Sequence, residues 1–477
     1  MLSQPDTFMS LNRQESPLMQ QLIQRLYRTD HKEYGKLKNG NSIGLSIPII
    51  DKTAIEKSSI TITALPPLPT LDEIKEIVRP TLLHPPAPVE GCSTQIAPEH
   101  TLIESIQTFQ KQKEKGFANY RILFKERPLP LDNALFVLHG WRPEFYLDPL
   151  FSLSARARAT SGGLFIRWNG KGIVINPGRY FLENFHKQGL HVWDIHAVIV
   201  TRKHQEVYAD IQEIYALNYK LNKNSSETHV INYYLAQKAF QVLSPLLKPH
   251  FKQEKHSLHC LELFLDSPDI EKIEIDPGII MQYFPLGTEN VTQQTANQTS
   301  KQNKTPLTHN SLGIKLELKP AGKGNQGCNL GYVSGGPWNS SISQNLGACD
   351  LLITGFGNTT ATDYRKQKYS DTCLGYFGTH SLLSEVNPKL MLCSEFSGAE
   401  GDIRLEVVKL LRQQWSQKSH VQIPAIQPGD LGMLINLKRL HVQCSITKNW
   451  IDPNLIRAVR TRDSFGSLQY LSPSCWS

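Results

Sequence analysis

The segment 201–210, "TRKHQEVYAD", carries the side chains best suited to chemistry. His204 and Glu206 stand close together in a loop between a strand-like run and a helix-like run. An imidazole and a carboxylate placed like this could hold a divalent metal or act as a general base. Arg202, with Lys203 beside it, offers forked donors to a phosphate or a carboxylate. The alternative is a solvated polar loop with local ion pairs.

Other candidates lie further along the chain. Cys373 or His380 could complete a metal site with His204 and Glu206, although Cys373 would equally suit a small buried thiol. Glu395 in "CSEF" could serve as an acid or base, or simply as an ion-pair partner. One tract, "PHFKQEKHSLHC", groups three histidines with a cysteine, but its spacing does not match a zinc finger. These histidines and this cysteine are His250, His256, His259 and Cys260.

The elements around these residues are predicted from apolar periodicity. "IHAVIVT" before the loop is a run typical of a strand buried on both faces, and "YADIQEIYALNYKLN" after it predicts a helix. Asn169-Gly170 predicts a hairpin turn between two short strands. "NPKLMLCSEF" predicts a strand, whereas "ETHVINYYLAQKAFQVLSPLLK" and "GDIRLEVVKLLRQQW" predict helices. Strands and helices mingle, so the fold class is α/β or α+β.

Composition divides the chain into three parts. Residues 1–130 form an accessory region with one amphipathic helix, "SPLMQQLIQRLYR", two proline-rich linkers and a second helix, "TLIESIQTFQKQKEK". Leu102, Ile103, Ile106 and Phe109 lie on one side of that second helix. Residues 131–450 form the main domain, with a flexible insertion at about 287–311 that is rich in Gln, Asn, Thr and Ser. Residues 451–477 form a C-terminal tail.

Bulk properties restrict the class of protein. The 477 residues carry a net charge of +8 without a run of five or six like charges, so a nucleic-acid partner is permitted but not required. The eight cysteines form no C-x-x-C pair, so no zinc ribbon is indicated, and several lie inside apolar segments, as reduced core cysteines do. The sequence predicts neither a signal peptide nor a membrane span. We therefore expect a cytoplasmic protein without a membrane partner.

The order of these segments resembles the metallo-β-lactamase superfamily. Its members usually read Ile-Asp-Pro-Gly, then a buried strand, then Thr-His-x-His-x-Asp-His; here Asn176-Pro177-Gly178 precedes the buried strand and the loop. "GYVSGG" stands where the family has Gly-Tyr-Thr-Gly/Ser-Asp-Thr, and "LGYFGT" and "PKLMLCSEF" are similar to later segments of one bacterial branch. The resemblance covers 134–415 in patches. It implies an αββα sandwich that holds one or two zinc ions and hydrolyses phosphodiesters, esters, thioesters or amides.

The metal ligands that the resemblance implies are mostly replaced. Thr201 and His204 match the motif, and Asp210 matches an aspartate that opens the following helix and is usually structural. The replaced positions are Arg202 for the first histidine, Glu206 for the aspartate, Val207 for the last histidine, Gly335 for the bridging aspartate, Cys373 for a later histidine and Asn176 for the aspartate of the Asp-Pro-Gly turn. This pattern is typical of a pseudoenzyme with a degenerate metal site.

Three functions follow as hypotheses. In the first, the chain is a non-hydrolytic protein without metal that binds an anionic ligand or a partner protein through Arg202, Lys203 and His204. In the second, it is a hydrolase whose rebuilt site holds zinc or another divalent metal, with Arg202 stabilising developing negative charge. The third is a nucleic-acid-binding module that uses the basic excess.

Overall fold

The computed structural model describes residues 98–143, 162–223, 225, 228–254, 256–263, 272–286, 311–322, 326–398, 402–416, 424–461 and 467–476. The protein divides into two compact units. The larger unit contains the described residues from Gly116 onward, and residues 98–115 belong to the other unit. The predicted helix at 16–28, both proline-rich linkers and nearly all of the predicted insertion lie outside the described residues. The insertion's last residue, Ser311, is described and is buried at the start of a strand.

Nine strands form the first sheet of the described chain. They are β1 Ala134–Val137, β3 Leu164–Trp168, β4 Lys171–Ile175, β5 Ile195–Val200, β6 Asn232–Ala236, β7 Ser257–Leu261, β15 Leu434–Asn436, β16 His441–Gln443 and β17 Trp450–Ile451. Their spatial order is β17-β16-β15-β1-β3-β4-β5-β6-β7. The strands from β4 to β7 are parallel, and the others are antiparallel to their neighbours.

A second sheet has the order β14-β13-β12-β11-β10-β9-β8. Its strands are β8 Lys272–Asp276, β9 Ile279–Pro285, β10 Leu312–Leu318, β11 Cys328–Val333, β12 Leu351–Gly357, β13 Leu390–Gly398 and β14 Ala425–Pro428; β2, Arg142–Pro143, pairs with the end of β13. β11 to β14 are parallel, so their carboxyl ends meet at one edge. β18 Arg457–Arg460 and β19 Leu468–Leu471 form a separate hairpin.

Helices cover the outer face of each sheet. The helices are α1 Pro98–Glu126, α2 Phe181–Lys187, α3 Gln205–Tyr208, α4 Ile211–Lys223, α5 Gln237–Glu254, α6 Ser340–Leu346, α7 Ala361–Lys366, α8 Gly375–Val386 and α9 Arg404–Ser416. One apolar core lies between the sheets, and Ile199, Ile314 and Leu392 belong to it. A second joins the first sheet to α2, α4 and α5, and a third joins the second sheet to α6, α8 and α9. The architecture is the αββα sandwich that the family resemblance implied.

Local sequence explains most of these elements. Asn169 and Gly170 both have positive φ, 49° and 77°, which is the backbone that a two-residue hairpin turn requires. The buried strand before the candidate loop and the helix after it are confirmed as β5 and α4. The prediction of one helix across 227–248 is wrong at its start. Residues 232–236, "NYYLA", form β6 between two parallel strands, because this aromatic segment is buried by its neighbours.

Two predicted regions have features that the sequence did not indicate. The boundary predicted between residues 450 and 451 falls inside β17, and the side chains of Ile456, Leu468 and Tyr470 beyond it are buried in the core between the sheets. In α1, the predicted apolar side is exposed, and Phe109 is among its most exposed residues. Helical periodicity was therefore right for α1, but it does not mark a buried face.

Candidate functional site

Arg202 turns its side chain into the sandwich at the end of β5. Its backbone forms an isolated bridge with Ser311, which begins the segment leading into β10. The guanidinium donates from Nη1 to Ser334 Oγ at 2.6 Å and from Nη2 to Glu395 Oε2 at 3.1 Å. The side chains of Arg202 and Glu395 are 19% and 22% exposed, so this ion pair is largely withdrawn from water. It joins β5 of the first sheet to β13 of the second.

The absence of a side chain at Gly335 makes room for this guanidinium. A Cβ placed on Gly335 would lie 2.2 Å from Nη1 of Arg202, far inside van der Waals contact. Gly335 also has φ of +80°, which disfavours other residues. Arg202 and Gly335 are the positions matched to the family's first histidine and bridging aspartate. The structure therefore brings these two positions together, but fills the space between them with a cation.

Glu395 receives donors from several sides. The hydroxyls of Tyr332 and Ser334 donate to its two carboxylate oxygens, in addition to the guanidinium of Arg202. Burial alone would raise the pKa of Glu395, but Arg202, nearby His139 and the hydroxyl donors outweigh it and lower the pKa to about 2. Glu395 therefore stays ionised, and its φ of +50° aims its side chain into this cluster from the end of β13.

The pKa values of its partners follow the same physics. Burial by itself would lower the pKa of Arg202, but the carboxylate of Glu395 prevails and raises it. Burial, reinforced by Glu395, raises the pKa of Tyr332 well above its ordinary value. The cluster is thus a guanidinium and a carboxylate in their charged forms with a neutral phenol. Each polar group already has a partner, which is the condition for a buried ion pair to be tolerated.

Asn176 extends the network to the turn after β4. Its side-chain amide donates to Tyr332 Oη at 2.8 Å and to Thr201 Oγ1 at 2.9 Å, and its carbonyl oxygen accepts from Thr201 N at 2.9 Å. Asn176 has φ of +52°, a conformation that asparagine tolerates better than most residues. The residue at the family's aspartate position therefore ties β4, β5 and β11 together through hydrogen bonds.

A buried histidine and serine lie beside this network. Nε2 of His139 and Oγ of Ser394 are 2.5 Å apart, and Nδ1 of His139 is 3.4 Å from the carbonyl oxygen of Gly163. Four residues were not predicted as site residues: His139, Ser394, Tyr332 and Ser334. The last three lie in the segments "GYVSGG" and "CSEF" that the sequence analysis singled out for other reasons. One signal was present, since Ser334 and Ser394 stand at the carboxyl ends of parallel strands, where sites form in such sheets.

The other residues of the candidate loop point away from the cluster or into the core. His204 is 60% exposed, and its Nδ1 lies 3.7 Å from Oε2 of Glu206. Lys203 is exposed as well. Val207, at the family's last histidine position, is buried in the core that joins the first sheet to its helices. The carboxylate of Asp210 accepts from backbone N–H groups of the α2 segment, which is a structural role.

The remaining metal candidates are engaged elsewhere. Cys373 Sγ lies 3.2 Å from Ser370 Oγ and 3.6 Å from the carbonyl oxygen of Asn358. The His380 ring stacks at 6.5 Å from that of Tyr376. In the tract that contains three histidines, His256 accepts from Ile231 N, and the His259 ring stacks on Tyr234 at 4.7 Å. The tract thus contributes to packing around β6 and β7.

These residues do not fit a zinc ion. In the described part of the chain, no group of three or more His, Cys, Asp or Glu side chains is placed to hold a metal. His204, Glu206, Cys373 and His380 are all described, so they are not assembled into one site. A structural or catalytic zinc needs three or four converging ligands. The fixed charge of Arg202 occupies the remaining space at the matched positions.

Comparisons with known proteins give distant structural similarity. No protein-family model and no curated protein sequence matches the chain. Three solved structures are similar to it in part. The metallo-β-lactamase fold protein YhfI from Bacillus subtilis is 10% identical, with 63% of this chain and 98% of that chain covered and a TM-score of 0.44. A diphosphatase from the PhnP family is 13% identical (63% and 96% covered, TM-score 0.41), and human tRNase Z, short form, is 11% identical (64% and 99% covered, TM-score 0.38).

The architecture agrees with the fold that the sequence resemblance implies. Two mixed sheets pack face to face, helices cover both outer faces, and the strand, loop and helix from 195 to 223 occur in the predicted order. Within the described ranges, no helix is both long and apolar enough to cross a bilayer. The described chain is thus an αββα sandwich, the architecture that the resemblance to the metallo-β-lactamase superfamily implies.

Proposed function

We propose that this chain is a metallo-β-lactamase-fold protein that binds a ligand or partner and does not carry out metal-dependent hydrolysis. One observation carries the proposal: the guanidinium of Arg202 lies against Gly335 and is bonded to Ser334 and Glu395. In the family, the matched positions of Arg202 and Gly335 hold metal ligands. Here the same space contains the guanidinium of Arg202, which is paired with Glu395.

Electrostatics supports this proposal. A guanidinium remains protonated at any physiological pH, so it repels a divalent cation at contact distance. The carboxylate of Glu395 is the nearest anion, but it already accepts from Arg202, Tyr332 and Ser334. A metal ion would have to break this buried pair before it gained any ligand. Breaking such a pair by removing one partner costs about 3–5 kcal/mol.

The binding surface would lie on the exposed side of the loop. Lys203 and His204 are both exposed next to Arg202, and they present positive or neutral nitrogen donors to solvent. Two of the guanidinium nitrogens of Arg202 are already bonded inward, so its contribution to a ligand is smaller than the sequence suggested. An anionic ligand or an acidic patch of a partner protein is the matching chemistry.

The metal-dependent hydrolase is the second candidate. It depends on the adjacent His204 and Glu206, whose side chains lie 3.7 Å apart and are open to solvent. Two such donors could hold a metal only weakly, because the usual site has three or four ligands. Movement of Cys373 or His380 toward them would be required to complete the set. This candidate therefore predicts a metal that binds with low affinity and is lost when His204 is replaced.

Metal content distinguishes the two candidates. We would purify the full chain without chelator or histidine tag and measure zinc, iron and manganese by plasma mass spectrometry. We expect far less than one metal per chain, with no change in His204→Ala. Zinc titration followed by calorimetry should give no saturable site. Near-stoichiometric metal that disappears in His204→Ala, together with phosphodiester or ester hydrolysis, would overturn the proposal in favour of the hydrolase.

A further inference from the structure

An aromatic surface lies outside the cluster of Arg202, Tyr332, Ser334 and Glu395, which we call the ion-pair cluster. Three of the four rings of this surface are on the segment that contains α7 and α8, and the fourth lies between β11 and α6. We call Trp338, Tyr364, Tyr369 and Phe377 the aromatic platform. The rings of Trp338 and Tyr369 stack at 5.0 Å with an interplanar angle of 23°, and those of Tyr364 and Phe377 stack at 5.8 Å with the same angle. Tyr369 also approaches Phe377 at 6.1 Å, so the two stacks are continuous.

The two tyrosines are partly exposed to solvent. Tyr364 is 39% exposed and Tyr369 is 42% exposed, whereas Trp338 and Phe377 are partly buried against the third core. Each tyrosine is backed by a stacked ring, and the hydroxyl of Tyr369 is hydrogen-bonded to Ser381 Oγ at 2.9 Å. The rings are therefore held in place before any ligand arrives. A further flat ring can extend each stack at little cost in conformational entropy.

Basic side chains lie between the two tyrosines in the sequence. Arg365 and Lys366 are in the last turn of α7, and Lys368 follows; all three are exposed. Lys368 pairs with Asp371 at 3.1 Å. Arg365 and Lys366 form no ion pair with any residue that the structure describes, so their charges are available to an anion.

The platform borders the candidate site. Trp338 follows β11, and the α7 segment follows β12, so both leave the sheet at the carboxyl ends of parallel strands. Glu395 lies near the carboxyl end of the neighbouring strand β13. In open α/β sheets, ligands bind in the crevice outside these strand ends. The platform and the ion-pair cluster therefore share one edge of the second sheet.

We propose that the aromatic platform binds single-stranded nucleic acid. Bases would stack on the partly exposed Tyr364 and Tyr369, and the backbone phosphates would contact Arg365 and Lys366. Every base has a flat π-face, so this mode is tolerant of sequence and needs unpaired strands. Preformed stacks interleaved with cations that pair with no described residue favour this ligand over an apolar protein surface, which would leave the cations without an anionic partner. The proposal does not depend on whether the chain binds metal.

Binding is tested on the full chain by fluorescence anisotropy. The probes are fluorescein-labelled oligouridylate and oligodeoxythymidylate of about 12 nucleotides, within the range of site sizes for such surfaces. A duplex of the same length is the comparison. We expect micromolar binding of about 1–100 μM to the single strands near 50 mM salt, weaker binding to the duplex and a clear loss of affinity near 200 mM salt.

Two pairs of substitutions separate stacking from charge. Tyr364→Leu with Tyr369→Leu keeps apolar bulk and should weaken binding at least about tenfold. Arg365→Gln with Lys366→Gln should weaken binding and reduce the slope of log affinity against log salt by about 1.4, the value for two phosphate contacts on a single strand. The matched control, Lys223→Gln with Lys409→Gln, removes the same charge from exposed positions on α4 and α9.

The outcomes decide the proposal. Circular dichroism and thermal melting establish that each variant is folded, and the arginine and lysine pair tests the site even if the tyrosine pair is unstable. Loss of affinity in the platform variants but not in the control supports the proposal. No binding at low salt, equal losses in the control, or a preference for the duplex would each overturn it, the last two by indicating general attraction to a basic protein.

Discussion

Arg202 and Gly335 occupy one volume, with the guanidinium of the first lying where a side chain of the second would begin. We expect Gly335→Ala to destabilise the protein by about 2–4 kcal/mol, through overpacking and through the penalty for positive φ. Gly170→Ala is the matched control, because Gly170 has a similar φ of +77° with open space around it. It should lose only about 1–2 kcal/mol. Urea unfolding of the two variants measures the difference, and equal losses would show that Arg202 does not fill the space.

Removing the charge of Arg202 should be more damaging than removing both charges. Arg202→Met leaves the carboxylate of Glu395 buried without its cation and should reduce the free energy of unfolding by about 3–5 kcal/mol. Adding Glu395→Gln to Arg202→Met should restore part of that loss. The exposed pair of Glu183 and Lys187 provides a control, since Glu183→Gln should change stability by less than about 0.5 kcal/mol. A double variant less stable than Arg202→Met would contradict this account.

Glu395 should make stability depend on pH in the acid range. Its pKa is about 2 in the folded chain, below the ordinary value of 4.5, so the unfolded state binds the proton more readily. The stabilisation is therefore present above about pH 4.5 and is lost as the pH falls toward about 2. Unfolding free energies measured across this window should fall more steeply in the wild type than in Glu395→Gln. Parallel curves would rule out an ionised, stabilising Glu395.

A second acid response should arise inside the larger unit, where His191 contacts the C-terminal part of α1. The ring of His191 stacks on Tyr120 at 3.9 Å and contacts Phe124, and burial, reinforced by Arg127, lowers its pKa from 6.5 to about 3. A buried neutral histidine is protonated more readily after unfolding, so its contribution falls as the pH drops from about 6.5 to about 3.

His191→Asn tests this contact. The variant should be less stable at neutral pH because stacking with Tyr120 is lost, but its stability should decline less on acidification. His204→Asn is the control, since His204 is largely exposed. Urea unfolding between pH 7.5 and pH 4 supplies the comparison, with tryptophan fluorescence reporting on neighbouring Trp193. An unchanged pH profile in His191→Asn would contradict the assignment.

The C-terminal hairpin should be needed for stability. Tyr470 is buried, and its hydroxyl donates to the carbonyl oxygen of Pro428 at 2.7 Å. Tyr470→Phe should cost about 1–3 kcal/mol because that carbonyl would be left without this donor, and Tyr470→Ala should cost about 3–5 kcal/mol. Thermal melting checks both values. If Tyr470→Ala melted like the wild type, the hairpin would not belong to the core.

The sequence predicted those parts of the fold that depend on short segments. β5, α4 and the turn at Asn169-Gly170 follow from apolar periodicity and from turn chemistry, both of which act locally. The start of the helix predicted for 227–248 was wrong because β6 passes into α5 at Ala236 and Gln237 without a turn residue. Only the pairing of β6 with its neighbours shows that this segment is a strand.

The candidate site was predictable in part for a different reason. Arg202 and Gly335 could be singled out because the family resemblance marks both positions. His139 and Ser394 are 255 residues apart, and their contact depends on the order of strands in two sheets. No spacing in the sequence encodes such an encounter. Glu395 was considered, but its partner, Arg202, could be known only once the sheets were packed.

The bonds from Asn176 to Tyr332 and from Arg202 to Glu395 both cross from the first sheet to the second. They act as a clasp that the polypeptide makes from its own side chains. These bonds form when the chain folds, and they do not themselves use a metal ion. The yield of folded protein should then be the same in metal-starved and metal-rich medium, and the clasp should survive chelators that would strip a metal-bridged edge.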